Sequence, residues 1–444
     1  MAMLVLRWYV LLVAFVVCAN ADEARKNWGN WRGPLGTGVA PDADPPIEWS
    51  EEKNVAWKTE IPGLGHSTPA VWGDRIYLTA AVPVGDALKE PKYSGRPGAH
   101  NNLPITHKQD FVVIAVDRKD GKILWKKTVK TVLPHEGGHE TGSLASNSPV
   151  TDGEMVYAFF GSRGLHAFTK DGDPVWNHEF EEMFSKHGHG EGSSPVLYEG
   201  ILVVNWDHEG KSFIIAFNKR TGEKLWKRER DEGTSWSSPI IVDETHGAPS
   251  PLVVVSATKR IRAYDLRTGH VEWECGGLSA NVVASPVAEN GIFIAGSSYN
   301  IRAMVAIDLK KAKGDITEGD AVLWRKTNRT PYVPSPLLYG GIVYYLTHYQ
   351  GILSKVDAKT GEVKAGPFRL DEMREIYSSP VAAADRVYIT DRRGVTIVLD
   401  HTGKADELML SRNVLDDRFN ASATIAGKEM FLRGEKFLYC LREE

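Results

Sequence analysis

Short apolar runs alternate with polar breaks along most of the chain. Met155-Val156-Tyr157-Ala158-Phe159 and Gly164-Leu165-His166-Ala167-Phe168, separated and followed by Gly and Asp-Gly signals, are representative. Runs of this length, rich in Val, Ile, Tyr and Phe and bounded by turn residues, predict β-strands joined by tight turns. The runs are also periodic. A Ser-Pro-apolar start recurs at Ser148-Pro149-Val150, Ser194-Pro195-Val196, Ser238-Pro239-Ile240, Ser285-Pro286-Val287, Ser335-Pro336-Leu337 and Ser379-Pro380-Val381, with prolines 46, 44, 47, 50 and 44 residues apart. An earlier copy, Ser67-Thr68-Pro69-Ala70-Val71, lies 80 residues before Pro149, because residues 82–110 form an insertion rich in Pro, Gly and His.

Four strands fit in each unit, and a four-stranded unit of roughly 45 residues predicts a propeller blade, since one twisted sheet buries both faces only against neighbours packed radially. A turn glycine followed four residues later by Trp recurs at Gly121/Trp125, Gly172/Trp176, Gly222/Trp226 and Gly269/Trp273. An insertion separates Asp308 from Trp324, and Ala365 and Glu407 replace Trp in later units. The set Trp57, Trp125, Trp176, Trp226, Trp273 and Trp324 is expected to cover neighbouring blades with flat rings, with Gly permitting close approach.

Seven complete units run from Ser67 to about residue 410. Beyond them, Ala423-Thr424-Ile425, Met430-Phe431-Leu432 and Phe437-Leu438-Tyr439 repeat three strands, with Thr424 placed 44 residues after Pro380 as the unit start; Asn54-Val55-Ala56-Trp57-Lys58 has the sequence of the missing fourth. Joining the two ends removes exposed sheet edges, so an all-β, eight-bladed propeller of four-stranded antiparallel blades, closed by an N-terminal strand in the last blade, is expected over 54–444, after a lead segment at 22–53.

Residues 1–21 resemble an export signal: Arg7 precedes an apolar run beginning at Trp8, and Ala19-Asn20-Ala21 offers small residues for cleavage. The run is shorter than the roughly 20 residues that span a bilayer, and Val17 before Cys18 is unsuited to lipidation. A periplasmic or secreted monomer is expected. Composition agrees with a folded protein, at 42% hydrophobic and 25% charged residues. A net charge of -4 gives no reason to expect nucleic acid as a partner.

Ala263-Tyr264-Asp265-Leu266-Arg267-Thr268-Gly269 followed by Trp273 resembles the PQQ-like propeller repeat, over roughly residues 54–441. Asn30-Trp31-Arg32-Gly33-Pro34 and His66-Ser67-Thr68-Pro69 resemble exported bacterial members of that family. The resemblance implies one of two branches: quinoprotein dehydrogenases using PQQ and Ca²⁺, or non-catalytic BamB-type proteins. The catalytic branch carries an adjacent cysteine pair. This chain has three cysteines, Cys18, Cys275 and Cys440, none adjacent. A non-catalytic scaffold for a protein or surface polymer is therefore expected, with no cofactor. Under the quinoprotein alternative, Arg163, Trp206, Trp236, Lys259, Arg260, Arg392 and Arg393 are the candidates for stacking on a quinone or meeting its carboxylates.

A third reading rests on histidine. His135-Glu136-Gly137-Gly138-His139-Glu140 matches the H-E-x-x-H string, but the glycines argue against the helix that its chemistry needs. As loops, this segment and His187-Gly188-His189 are expected at one mouth of the ring, near Asp207-His208-Glu209, His348-Tyr349 and Arg392-Arg393. His135, His139, His189, Asp207 and His208 are the candidate ligands for Zn²⁺ or a related metal.

Overall fold

The computed structural model describes residues 23–371, 373–403 and 408–443. The expected export signal, including Cys18, and the Glu407 position lie outside the described residues.

Eight antiparallel sheets follow one another along the chain as the blades of a propeller. The first contains Ala70–Trp72, Arg75–Val84, Lys108–Asp117 and Ile123–Val132. The next six occupy 150–178, 196–230, 240–276, 287–326, 337–369 and 381–414. In the eighth, Thr424–Ala426, Glu429–Arg433 and Phe437–Leu441 are completed by Val55–Glu60, whose Trp57 pairs with Cys440. Inner strands are packed on both faces, so a strand such as Met155–Phe159 is buried at every position. The outer Val55–Glu60 alternates between half-buried and exposed instead, as expected where only one face meets a neighbour.

Two ladders join the blades. In the outer ladder each indole N–H donates to a carbonyl of the next blade: Trp57 to Arg118, Trp125 to Lys170, Trp176 to Lys219, Trp226 to Leu266 and Trp324 to Ala358, at 2.8–3.1 Å. The turn glycine of the receiving blade lies against the same ring. A Cβ added to Gly222 would come within 2.6 Å of Trp176, so only glycine fits. Trp273 departs from the pattern, and its indole N–H has no partner among the described residues. The receiving turn in the fifth blade carries Ala312 in place of glycine and an insertion whose Gly314–Asp315 pairs in parallel with Val271–Gly276 of the fourth blade.

The inner ladder runs through the Ser-Pro repeat. The amide of Thr68 donates to Ser148 Oγ, and each serine amide then donates to the next serine Oγ, through Ser194, Ser238, Ser285, Ser335 and Ser379 to Ser422, at 2.8–2.9 Å. The last step spans 43 residues. The hydrogen-bond register thus places Ser422-Ala423, not Thr424, at the start of the closing unit, because Thr424 pairs with Phe431 as Val381 pairs with Tyr388.

The segment from Glu23 to Lys53 crosses the end of the ring where first and second strands turn. Trp28 bridges to Val71 of the first blade, Gly29 accepts from Thr151 of the second, and Val39 bridges to Ala382 of the seventh. Buried Arg32 donates to the carbonyls of Pro336 and Pro380 at 3.1 and 3.0 Å. Burial pulls its guanidinium down to about 9, which leaves it protonated at neutral pH and able to hold both blades.

Candidate functional site

The loops that link successive blades, and those between second and third strands, meet at the opposite end of the ring. They surround a cavity of about 700 Å³. Ser194, Ser238, Ser285, Ser335, Ser379 and Ser422 of the inner ladder form its wall, and Trp31 of the lead segment also lines it. The result is a cup.

The first blade's long second-to-third connection, residues 85–107, folds over one side of this cup. Asn102–Leu103 pairs with Gly138–His139, and Asn102 Nδ2 donates to the carbonyls of His187 and Gly188 at 2.8 and 3.0 Å. Arg96 pairs with Glu136 at 3.0 Å and lies 3.8 Å from the Phe184 ring centroid. These contacts bring His100, which sequence reasoning did not single out, to 4.8 Å from His189, itself 4.8 Å from His139. Burial and the neighbouring imidazoles push His189 down to about 4, and burial also lowers His139. Burial and two arginines, Arg433 and Arg392, push His66 down to about 3. These three cup histidines are thus neutral at pH 7.

Only part of the expected set faces the cup. His139, His189 and Trp236 line it. His135 contacts the Met183 carbonyl through Nε2 at 2.7 Å and lies 3.4 Å from Arg163. Arg163 is buried against Glu191 at 2.8 Å. Trp206 is 2% exposed and stacks against both Phe180 and Phe213, out of reach of a ligand. Asp207 forms a fully buried pair with Arg230 at 2.7 Å. His208 accepts from the Phe184 amide through Nδ1 and contacts the Lys211 carbonyl through Nε2. Lys259 and Arg260 pair with Asp231 and with Glu274 and Asp315; Arg392 pairs with Glu375, and Arg393 with Asp391. Among the described residues, no group of three or more His, Cys, Asp or Glu side chains is arranged to hold a metal ion.

Beyond His348-Tyr349, which the sequence already placed at this mouth, the signals that sequence reasoning missed are aromatic. Tyr299, Tyr332, Tyr349 and Tyr377 line the cup beside His348. They lie on four loops, Tyr299 and Tyr349 between second and third strands and Tyr332 and Tyr377 on the links between blades, and only the ring brings the two kinds of loop together. Three carboxylates, Glu140, Glu191 and Glu375, line the cavity, whereas no Lys or Arg does among the described residues. Cys275 and Cys440 are free, buried and on different blades, and burial raises both thiols.

Similarity to known proteins follows the fold. BamB from Moraxella catarrhalis matches at a TM-score of 0.53 and 14% identity, over 82% of this chain and 100% of that one. A europium-containing methanol dehydrogenase matches at 0.60 and 11%, over 92% and 89%. The quinohemoprotein alcohol dehydrogenase from Comamonas testosteroni matches at 0.60 and 11%, over 94% and 81%. At such identities the likeness is one of fold. No curated protein matches in sequence. The family model described as "Outer membrane protein assembly factor BamB" matches residues 109–366 and 236–424, well over half of the sequence, and the chain belongs to this PQQ-repeat family.

Proposed function

We propose that this chain is an exported, non-catalytic binding propeller that holds a partner or ligand at its cup through a rigid ring of loops. The observation that carries this reading is the one-ended cavity. The lead segment crosses one end of the ring, and aromatic, amide and neutral imidazole groups surround the other. A rigid scaffold presenting irregular loops on one side suits recognition. The quinoprotein alternative is less favoured, because PQQ is a tricarboxylate and the cup would meet it with glutamates and, among the described residues, no cationic side chain. No helix among the described residues is long and apolar enough to cross a membrane, which suits a protein acting in an aqueous exported compartment.

The test combines two measurements on the intact protein. Incubation with PQQ and Ca²⁺ should leave dye-linked alcohol and sugar oxidation at the blank level; turnover would overturn the non-catalytic part. Immobilised protein should retain a specific component of the exported fraction, and a variant with residues 85–107 replaced by a short turn should lose it. Equal retention by both would refute binding at the cup.

A further inference from the structure

Three independent features of the cup converge on one ligand chemistry. The first is an aromatic wall. Tyr299 and Tyr332 stack at 6.1 Å, His348 lies 4.5 Å from Tyr332 and 4.6 Å from Tyr349, and Tyr349 stacks on Tyr377 at 5.6 Å and 10°. Tyr299 and Tyr349 are 45% and 37% exposed, so ring surface is presented outward instead of being spent on the core. Such rings offer a flat apolar face beside a polar tip.

The second is a set of acceptors without donors. Thr68 Oγ1, Asn281 Oδ1 and Asn420 Oδ1 all belong to residues lining the cavity, and none has a hydrogen-bond partner among the described residues. Thr68 and Asn281 are 1% and 2% exposed. An unpaired buried acceptor costs about 1–3 kcal/mol; these three are closed off just behind the cavity wall, so a ligand that draws the side chains outward and supplies donors gains that free energy. The Asn420 amide nitrogen is already committed, lying 3.3 Å from His66 Nε2, an orientation that leaves its oxygen free.

The third is charge. His66, His139, His189 and His348 are all held below their ordinary range by burial, so they act as neutral donors or acceptors near pH 7. Glu191 is satisfied by the Ser162 amide and hydroxyl and by Arg163. Glu375 faces Arg392 at 3.6 Å. Exposed Glu140 remains to repel an anion. Four of the residues lining the cup, Asn101, Asn281, His348 and Glu375, have left-handed φ of 53–61°.

We propose that the cup is a binding site for a neutral polyhydroxylated ligand, a glycan whose sugar rings lie on the tyrosine wall while their hydroxyls donate to Thr68, Asn281 and Asn420. A pyranose has an apolar C–H face that matches an aromatic ring and a rim of O–H donors that matches orphan acceptors. A cavity of about 700 Å³ holds a few such rings. This inference rests on the binding reading above and narrows it to a ligand class.

Screening the full protein on an array of neutral and anionic glycans, followed by calorimetry with the best neutral oligosaccharide, tests it. One-site binding is expected, weakened about tenfold or more by Tyr349→Ala and by Asn281→Ala and largely kept by Tyr349→Trp. Tyr349 is exposed, so its variants should melt like the parent. Absence of neutral glycan binding, binding only to anionic glycans, or neutral binding unchanged in both alanine variants would overturn the proposal. If an exported component were still retained in any of those cases, the general binding function would stand while its glycan assignment fell.

Discussion

At the residue scale, Asp207 separates two readings of the same position. As a loop acid beside a histidine it looks like a ligand. In the fold it meets Arg230 through two bonds at 2.7 and 3.0 Å, both side chains are fully buried, and Arg230 also donates to Tyr264 Oη. Burial works against the guanidinium charge, yet Asp207 outweighs it and raises Arg230 above its ordinary range. Asp207→Ala should therefore cost about 3–5 kcal/mol in urea denaturation, because it strands a buried charge. The double change Asp207→Leu with Arg230→Met should recover most of that loss; equal destabilisation of single and double variants would show that the pair is not the cause. The same contrast explains which site residues were legible. Spacing assigns a residue to a loop and an end of the ring, which groups His139 and His189 at the cup. It carries no information about side-chain direction, and that alone sends Trp206 into an aromatic stack and His208 onto backbone groups. His100 and Trp31 could be found only by folding distant segments onto the ring.

At the scale of elements, the blade repeat is held by a polar ladder inside and an aromatic ladder outside. The outer one was legible because a large ring needs a neighbour without a Cβ, and both residues recur in register. The inner one was visible only as punctuation, since a recurring Ser-Pro says that positions are equivalent and not which groups they join. Its chemistry is unequal around the ring. Ser238 Oγ accepts the Ser194 amide, whereas Thr68 Oγ1, at the seam between eighth and first blades, has no partner among the described residues. Ser238→Ala should strand a buried amide and destabilise by about 1–3 kcal/mol, while Thr68→Val should be near neutral or slightly stabilising. Comparable losses for both in denaturant titrations would mean that the ladder does not carry blade-to-blade stability. Where tryptophan is lost from the repeat, another contact fills the seam: between sixth and seventh blades, His401 lies 4.4 Å from Tyr339 and 2.8 Å from the Tyr344 hydroxyl.

At the scale of the molecule, closure depends on two sequence-distant segments meeting. Val55–Glu60 supplies the outer strand of the eighth blade, and the Thr424 hydroxyl donates to the Pro69 carbonyl across the seam at 2.7 Å. Arg433 adds bonds to Ser67 Oγ and the Thr79 carbonyl at 2.5 and 2.6 Å. With that strand in place the eighth blade ends, like the others, on an outer strand, here one that alternates half-buried and exposed positions. A chain beginning at residue 62 would lose that strand together with the lead segment, baring the backbone of Phe437–Leu441 as a long apolar edge. Unpaired edges of this kind recruit other chains. The shortened protein should self-associate with rising concentration in size-exclusion chromatography, and a peptide spanning residues 50–62 should return it to the monomer position by restoring the strand in trans. A peptide with Trp57→Pro should fail, because proline removes a backbone donor within the pairing and the indole that bonds to the Arg118 carbonyl. If the shortened chain remained monomeric at every concentration, the N-terminal strand would not be what closes the ring against its neighbours, and the stability of the seam would have to come from the remaining contacts between first and eighth blades, those of Thr424, Arg433 and Arg118.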